Sequence, residues 1–153
     1  MDLSACWSVI GPVDATVLAN LTAWLQAGAK PWPDVAPTKP QRIFQMPPEA
    51  AAVVDSLKVF DRPVTADAVM FSRMLPGQSH PMHIDNQRAG WITRVHVPLV
   101  TNPGAWILFE EIGQRVHFDV SLAYTFNTFK RHAFGNDGET ERVHLLFDVF
   151  AAG

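Results

Sequence analysis

The chain of 153 residues contains a single cysteine, Cys6, and no cluster of basic residues. One cysteine cannot form an internal disulfide, and a thiol nucleophile needs a positioned base, so we expect Cys6 to be a small packed residue. With a formal net charge of −3, the chain lacks the excess of positive charge that is typical of proteins that bind phosphate backbones. We therefore expect no nucleic-acid partner.

Long apolar runs are also missing from the sequence. No run approaches the length of about 20 residues that a membrane helix requires, and residues 1–6 lack the basic and apolar stretches of a signal peptide. We expect a cytoplasmic protein that does not engage a membrane. With 48% hydrophobic and 18% charged residues, the composition predicts one compact domain over residues 1–153.

Residues 1–66 are predicted to form a helical and proline-rich region. Asp14–Gly28 has helical spacing of apolar residues between an aspartate N-cap and a glycine C-cap, and Glu49–Leu57 predicts a second, shorter helix. The passage between them contains six prolines up to Pro48, which predicts a connecting loop because proline lacks a backbone N–H. We expect Trp32 and Arg42 to pack at its surface, with cover for an active-site mouth as the alternative.

Residues 67–153 are predicted to form a β-rich core. Short segments rich in β-branched and aromatic residues alternate with turns such as Pro76-Gly77. Strands are predicted at Ala68–Leu75, Trp91–Val100, Ala105–Glu110, Arg115–Asp119, Ser121–Phe126 and Arg142–Phe150. Many short strands after N-terminal helices predict a double-sheet jelly roll or cupin-like barrel, with the helices packed outside.

Two of the predicted strands carry polar residues on one face. Arg94 and His96 alternate along Trp91–Val100, and Arg142, His144 and Asp148 share a face of the last strand. Such a face can simply meet water, as in a half-exposed antiparallel sheet. The presence of two strands with an Arg-x-His pattern favours a charged interior. Arginine in such an interior can bind a carboxylate through two parallel hydrogen bonds from its planar guanidinium.

The strongest chemical signal is His83-Ile84-Asp85 followed by a distant His132. On an extended strand, residues two apart point to the same side, so His83 and Asp85 can bind one ion, with His132 as third ligand. Two histidines and one carboxylate on a single face of a metal are typical of non-haem Fe(II) oxygenases. Arg142 adds a fixed positive charge that suits the far carboxylate of a 2-oxo acid.

Three further histidines are weaker candidates. We expect His80 to face solvent in a proline-containing turn, and His117 to be a hydrogen-bonded surface residue. For His144, packing and a hydrogen bond behind the metal ligands remain equally open.

The order and spacing of these elements resemble the aspartyl/asparaginyl β-hydroxylase-like 2-oxoglutarate oxygenases. The resemblance covers residues 72–150, about half of the chain. It rests on Ser72-x-Met74-x-Pro76-Gly77, His83-x-Asp85, Arg94-x-His96-x-Pro98-Leu99, Asn102-Pro103, Phe126-Asn127, His132, Asn136 and Arg142-x-His144-Leu145-x-x-Asp148. The resemblance implies a double-stranded β-helix, the fold of that family.

The resemblance also implies roles for single residues. His83 and His132 match the iron-binding histidines, and Asp85 occupies a carboxylate position that the animal protein hydroxylase of the family lacks. Arg142 matches the arginine that pairs with the C5 carboxylate of 2-oxoglutarate. The remaining matches to the cosubstrate pocket are Ser72, Met74, His96 and Arg94. The loop Asn86–Gly90, with Arg88 in it, has no clear counterpart.

These observations favour an Fe(II)- and 2-oxoglutarate-dependent dioxygenase that hydroxylates an unactivated C–H bond. We expect O2 as the second cosubstrate and a small amino-acid-like or peptide substrate. The alternatives are a cupin-like domain that binds a metal or 2-oxo acid without turnover, and a zinc hydrolase. The retained Asp85 argues against the first, and the lack of an evident general base argues against the second.

Overall fold

The computed structural model describes residues 1–56 and 60–153 and places two antiparallel sheets face to face. The strands are β1 (Trp7–Pro12), β2 (Gln41–Ile43), β3 (Val64–Met74), β4 (Ser79–His83), β5 (Trp91–Val100), β6 (Ala105–Phe109), β7 (Arg115–Val116), β8 (Leu122–Phe126), β9 (His132–Asn136) and β10 (Arg142–Ala151). The helices are α1 (Ala15–Gln26) and α2 (Pro48–Ser56). One sheet has the order β1-β8-β5-β10-β3-β2 and the other β4-β9-β6-β7, so the sheets do not close into one barrel. The jelly-roll prediction is confirmed.

The larger sheet is apolar on its outer face and polar on its inner face. Strand β10 runs through its middle between β3 and β5. On the outer face, Val143, Leu145, Phe147 and Val149 belong to the same core cluster as residues of both helices. The intervening Arg142, His144 and Asp148 are also buried and carry the polar groups of the strand. Side chains alternate between the two faces of a strand. Because the apolar side chains of β10 pack against the helices on the outer face, its polar side chains lie on the inner face.

Helix α1 follows the sequence prediction closely. The Asp14 carboxylate accepts a hydrogen bond of 3.0 Å from the Val17 amide, and Gly28 takes a φ of +70° just beyond the helix. Leu18 and Leu21 are buried against the sheet. Helix α2 ends at Ser56 among the described residues, and the predicted end at Leu57 lies outside them.

Four strands escaped prediction, and they are short or irregular. Strand β2 lies inside the proline-rich passage, so the prediction of an uninterrupted loop there is wrong. It pairs with β3 alone at the sheet edge, and an edge strand tolerates flanking prolines because only one side of its backbone is paired. The others are β1, β4 and β9. Strand β7, by contrast, is shorter than predicted and has two residues instead of five.

Both β1 and β2 join the same sheet as strands of the C-terminal half. We propose on this ground that residues 1–153 fold as one unit. Neither of the described helices has the length and apolar character that crossing a membrane requires.

Candidate active site

A cavity opens between the two sheets and collects most of the candidate residues. Its polar lining comes from both sheets and from the turn after β4, and its apolar lining includes Ile107, Phe126 and Phe134. The sequence-predicted residues in the lining are Ser72, His83, Asp85, Arg94, His96, His132 and Arg142. Met74 is fully buried and pairs with Arg142 across β3 and β10, but it does not line the cavity.

His83, Asp85 and His132 converge at one end of this cavity. His83 ends β4 and lies directly opposite His132 of β9 in the strand register. The Nε2 atoms of His83 and His132 lie 3.3 and 3.6 Å from the two carboxylate oxygens of Asp85. One ligand atom from each of the three residues falls within 4.8 Å of the others. Asp85 follows the end of β4, where its backbone N–H donates to the Thr128 carbonyl.

The hydrogen bonds of the two histidines set their tautomers for metal binding. Nδ1 of His83 lies 2.7 Å from the Pro81 carbonyl, and Nδ1 of His132 lies 2.7 Å from the Lys130 carbonyl. A carbonyl only accepts, so Nδ1 carries the proton in both rings and Nε2 presents its lone pair beside Asp85. Two imidazole nitrogens and a carboxylate with no proton between them form a donor set that fits Fe(II).

Electrostatics keep His83 and Asp85 in the form that binds a cation. Burial lowers the pKa of His83, and the neighbouring His132 lowers it further. Burial by itself would raise the pKa of Asp85, but the neighbouring His132 and the charge of Arg94 outweigh it, so this pKa lies below the ordinary value. Neutral imidazole and ionised carboxylate are the protonation states required of metal ligands.

Arg142 is a buried cation without a carboxylate partner in the described part of the chain. It is 4% exposed, its Nη2 lies 3.5 Å from Ser72 Oγ, and its Nη1 lies 3.4 Å from His144 Nδ1. Its Nε has no hydrogen-bond partner among the described residues. Burial lowers the pKa of Arg142 to about 10, which still leaves it charged at neutral pH. A buried, unpaired guanidinium beside a cavity is a site for an anion.

His96 and His144 form a neutral pair next to Arg142. Their Nδ1 atoms are 3.1 Å apart, and the His96 ring stacks on Phe126 at 4.6 Å. Burial lowers the pKa of both histidines well below the ordinary value, and nearby arginines lower it further. His144 therefore both packs in the core and contacts Arg142 through its ring nitrogen.

Arg94 is held by two carboxylates. Its Nε and Nη2 donate to the two oxygens of Asp148 at 3.0 and 3.1 Å, and its Nη1 donates to Asp85 at 3.2 Å. Trp91 adds a hydrogen bond of 3.2 Å from its indole to Asp148. Arg94 therefore connects Asp148 to Asp85.

Three other candidates are placed as follows. His80 lies on β4 rather than in a turn, is half-buried and touches the His83 ring edge-on at 4.3 Å, so the expectation that it faces solvent is wrong. His117 donates from Nδ1 to the Ala105 carbonyl, 2.7 Å away, as expected of a hydrogen-bonded histidine. Arg88 pairs with Asp67 and covers the Phe150 ring outside the cavity.

Arg42 lines the cavity, although the surface of a loop was its favoured place from the sequence and cover for an active-site mouth the alternative. The sequence Gln41-Arg42-Ile43 has no alternation of polar and apolar residues. Three such residues between prolines are too few to predict a strand that directs Arg42 to the cavity.

The fold and this site together define an oxygenase of the jelly-roll class. A family model described as aspartyl/asparaginyl β-hydroxylase matches residues 24–152. The chain therefore belongs to the aspartyl/asparaginyl β-hydroxylase family. No curated protein matched the chain.

Solved structures share the fold at low sequence identity. A prolyl-4-hydroxylase of Pseudomonas putida is 16% identical, with a TM-score of 0.72 over 99% of this chain and 96% of that one. The collagen prolyl hydroxylase of Paramecium Bursaria Chlorella virus-1, in a 2-oxoglutarate complex, is 15% identical, with a TM-score of 0.66 over 97% of each chain. A prolyl hydroxylase of Trichoplax adhaerens, in complex with a peptide of hypoxia inducible factor, is 16% identical, with a TM-score of 0.67 over 95% of this chain and 84% of that one.

Proposed function

We propose that the chain is an Fe(II)- and 2-oxoglutarate-dependent dioxygenase that hydroxylates an unactivated C–H bond of an amino-acid-like or peptidyl substrate. The observation that carries this proposal is the presence, in one cavity, of a convergent His83, Asp85 and His132 and a buried, unpaired Arg142. The three ligand residues suit a metal ion, and Arg142 suits a carboxylate of the dianion 2-oxoglutarate.

His83 and His132 would hold iron through Nε2, and Asp85 through a carboxylate oxygen. The backbone carbonyls at Nδ1 fix the orientation of both rings, which removes the cost of ordering them when the ion binds. When bound, iron with 2-oxoglutarate and O2 supplies the oxidant, and 2-oxoglutarate leaves as succinate and CO2.

Arg142 and Ser72 would bind the far carboxylate of 2-oxoglutarate. Both side chains are almost fully buried, so a charge-assisted hydrogen bond there is shielded from water. His96 forms the wall of the cavity next to Arg142, and its neutral ring adds no competing charge. Met74 does not reach the cavity, and we assign it the support of β3 opposite Arg142.

Arg94 would orient Asp85 rather than bind the cosubstrate. One oxygen of Asp85 accepts from Arg94, and the carboxylate of Asp148 fixes the other side of the guanidinium. This arrangement prevents rotation of Asp85 away from the two histidines. Carboxylate ligands are commonly held by hydrogen bonds of this kind.

The two alternative functions have less support. A zinc hydrolase needs a general base beside its metal water, and Asp85 is the sole carboxylate among the described residues that line the cavity. Against a binding or sensor domain without turnover stands the retention of Asp85 beside both histidines, which leaves the set of three ligands complete.

The test is release of succinate from 2-oxoglutarate with Fe(II), screened over amino acids and short peptides. We expect a substrate that stimulates succinate release in step with its own hydroxylation. His83→Ala should abolish both, whereas His117→Ala, a matched change outside the cavity, should leave both intact. Iron and 2-oxoglutarate binding without any succinate across the screen would favour the sensor alternative.

A further inference from the structure

The charges that line the cavity do not balance. Three arginines, Arg42, Arg94 and Arg142, face a single carboxylate, Asp85, among the described lining residues. Arg94 is compensated by Asp85 and Asp148. The proposed function gives Arg142 the dianion of 2-oxoglutarate. Arg42 is left over, because its side chain forms no hydrogen bond or ion pair with any other part of the described chain.

Arg42 lies where the cavity meets the protein surface. It occupies the middle of edge strand β2, opposite Ser72 of β3. Its neighbours Gln41 and Ile43 are buried, so strand alternation directs Arg42 to the other side. The residue lines both the inner cavity and a second, outer groove, and Pro40 and His80 are likewise shared between the two.

The outer groove, of about 380 Å³, combines apolar surface with positive charge. Pro33, Val35 and Phe44 line it, and Phe44 is 62% exposed. Lys39 and Arg42 supply the charges, and no carboxylate appears among the described residues of its lining. Exposed apolar side chains beside unpaired cations are complementary to a ligand with an anionic group and an apolar part.

Arg42 is the exposed residue of β2, so a ligand in the groove can reach its guanidinium, and the charges around it favour an anion there. Burial lowers the pKa of Arg42, the positive charge of Arg94 lowers it further, and Asp85 offsets part of the effect. Arginine nevertheless stays protonated at neutral pH, so the repulsion from Arg94 remains until an anion binds. A carboxylate would accept both arms of the guanidinium fork.

We propose that Arg42 binds a carboxylate of the substrate at the boundary between cavity and groove, with an apolar part of the same substrate along Pro33, Val35 and Phe44. This inference rests on the proposed function. Since Arg42 lines the same cavity as the three proposed metal ligands, a carboxylate bound to it would lie in the cavity where hydroxylation takes place. The substrate class is thus an apolar amino acid with an acylated amino group and a free carboxylate, and Arg42 rather than Arg94 selects it. A fatty acid offers the same carboxylate without the amide, and the test separates the two.

Paired probes separate the contribution of charge from that of the apolar part. N-acetyl-leucine, N-acetyl-phenylalanine and octanoate would each be compared with the corresponding primary amide, by calorimetry on protein loaded with Mn(II) and 2-oxoglutarate, which does not turn over. We expect at least one acid to bind the wild-type protein tenfold or more tightly than its amide. Whether an acetylated amino acid or octanoate binds identifies the source of the carboxylate.

Variants then assign the preference to Arg42. Arg42→Gln should reduce the preference for the acid at least tenfold, and Arg42→Lys should retain part of it. Arg62→Gln removes the same charge from an exposed arginine outside both cavities and should change nothing. In all variants 2-oxoglutarate affinity should equal that of the wild type.

Several results would overturn the inference. They are equal binding of acids and amides, no binding of any probe, a preference that survives in Arg42→Gln, and a loss of 2-oxoglutarate affinity in that variant. Failure of the proposed function would look different, because the wild-type protein would then release no succinate even if acids bound through Arg42.

Discussion

Asp148 and Arg94 lie directly opposite each other on neighbouring strands β10 and β5 and form two parallel hydrogen bonds, of 3.0 and 3.1 Å. The side chain of Asp148 is 6% exposed and that of Arg94 is 18% exposed, so solvent screens this pair weakly. Through its third nitrogen Arg94 reaches Asp85. The geometry of the proposed iron ligand thus depends on a residue that does not line the cavity.

Asp148→Asn should destabilise the protein and weaken iron binding together. The change keeps the shape of the side chain but removes one of the two carboxylates that hold Arg94, so we expect a cost below the roughly 3–5 kcal/mol of a buried charge left with no partner, because Asp85 remains in place. Urea unfolding and an iron titration measure the two effects. Asp137→Asn is the matched control, because Asp137 pairs with Arg115 at the exposed surface, where solvent screens the pair and only a small loss of stability is expected. Equal effects of the two changes would contradict the special role of Asp148.

Arg142→Met should raise the 2-oxoglutarate concentration needed for half-saturation by roughly 30-fold or more. Loss of a buried charge-assisted contact costs about 2–5 kcal/mol, and each 1.4 kcal/mol is a factor of ten. Iron affinity should stay close to that of the wild type, because Arg142 does not contact the three proposed ligands. Titration of 2-oxoglutarate at fixed metal checks this, with Arg115→Met as the surface control. Unchanged affinity would show that the carboxylate of 2-oxoglutarate is bound elsewhere in the cavity.

Asp85→Ala should weaken iron binding and suppress succinate release that is coupled to hydroxylation, without unfolding the domain. The carboxylate supplies negative charge to the ion and restricts the positions left for 2-oxoglutarate and O2. Iron titration, succinate release and a thermal melt on the same preparation separate these effects. Wild-type turnover with unaltered iron affinity would show that Asp85 is no ligand.

Stability without metal should fall as the pH drops below about 6.5, because of His96 and His144. Burial holds the pKa of both groups well below the unfolded value of 6.5, so the unfolded chain binds protons that the folded protein excludes. Stability is therefore complete above pH 6.5 and declines below it, by about 1.4 kcal/mol per pH unit for each histidine. Urea unfolding at pH 7.5 and 5.5 measures the slope. His144→Gln should reduce the slope, and an unchanged slope would assign it to other groups.

The sequence predicted the elements with long regular patterns and missed those set by tertiary contacts. Strand β5 was predicted at the bounds the structure shows, because ten residues of alternation leave little ambiguity. Strand β2 has only three residues and is specified by its pairing with β3. The pairing of Asp148 with Arg94 likewise depends on strand register, which no local pattern reveals.

The residues of the candidate site were likewise predicted in part from the sequence and in part only from the structure. His83, Asp85, His132 and Arg142 were proposed from residue type and spacing, and the structure brings all four to one cavity. For Arg42, the sequence favoured a packed surface loop over cover for an active-site mouth, because the lack of a partner for its charge becomes evident only after the other charges of the cavity have been paired. That property requires knowledge of every contact around the cavity.

The most direct test of the proposed function is the visible absorption of the protein with Fe(II) and 2-oxoglutarate in the absence of O2. We expect the charge-transfer band typical of iron bound to both a facial ligand set and a chelating 2-oxo acid. His132→Ala should abolish the band, while His117→Ala should preserve it. Bound iron and bound 2-oxoglutarate without the band in the wild-type protein would contradict the assignment.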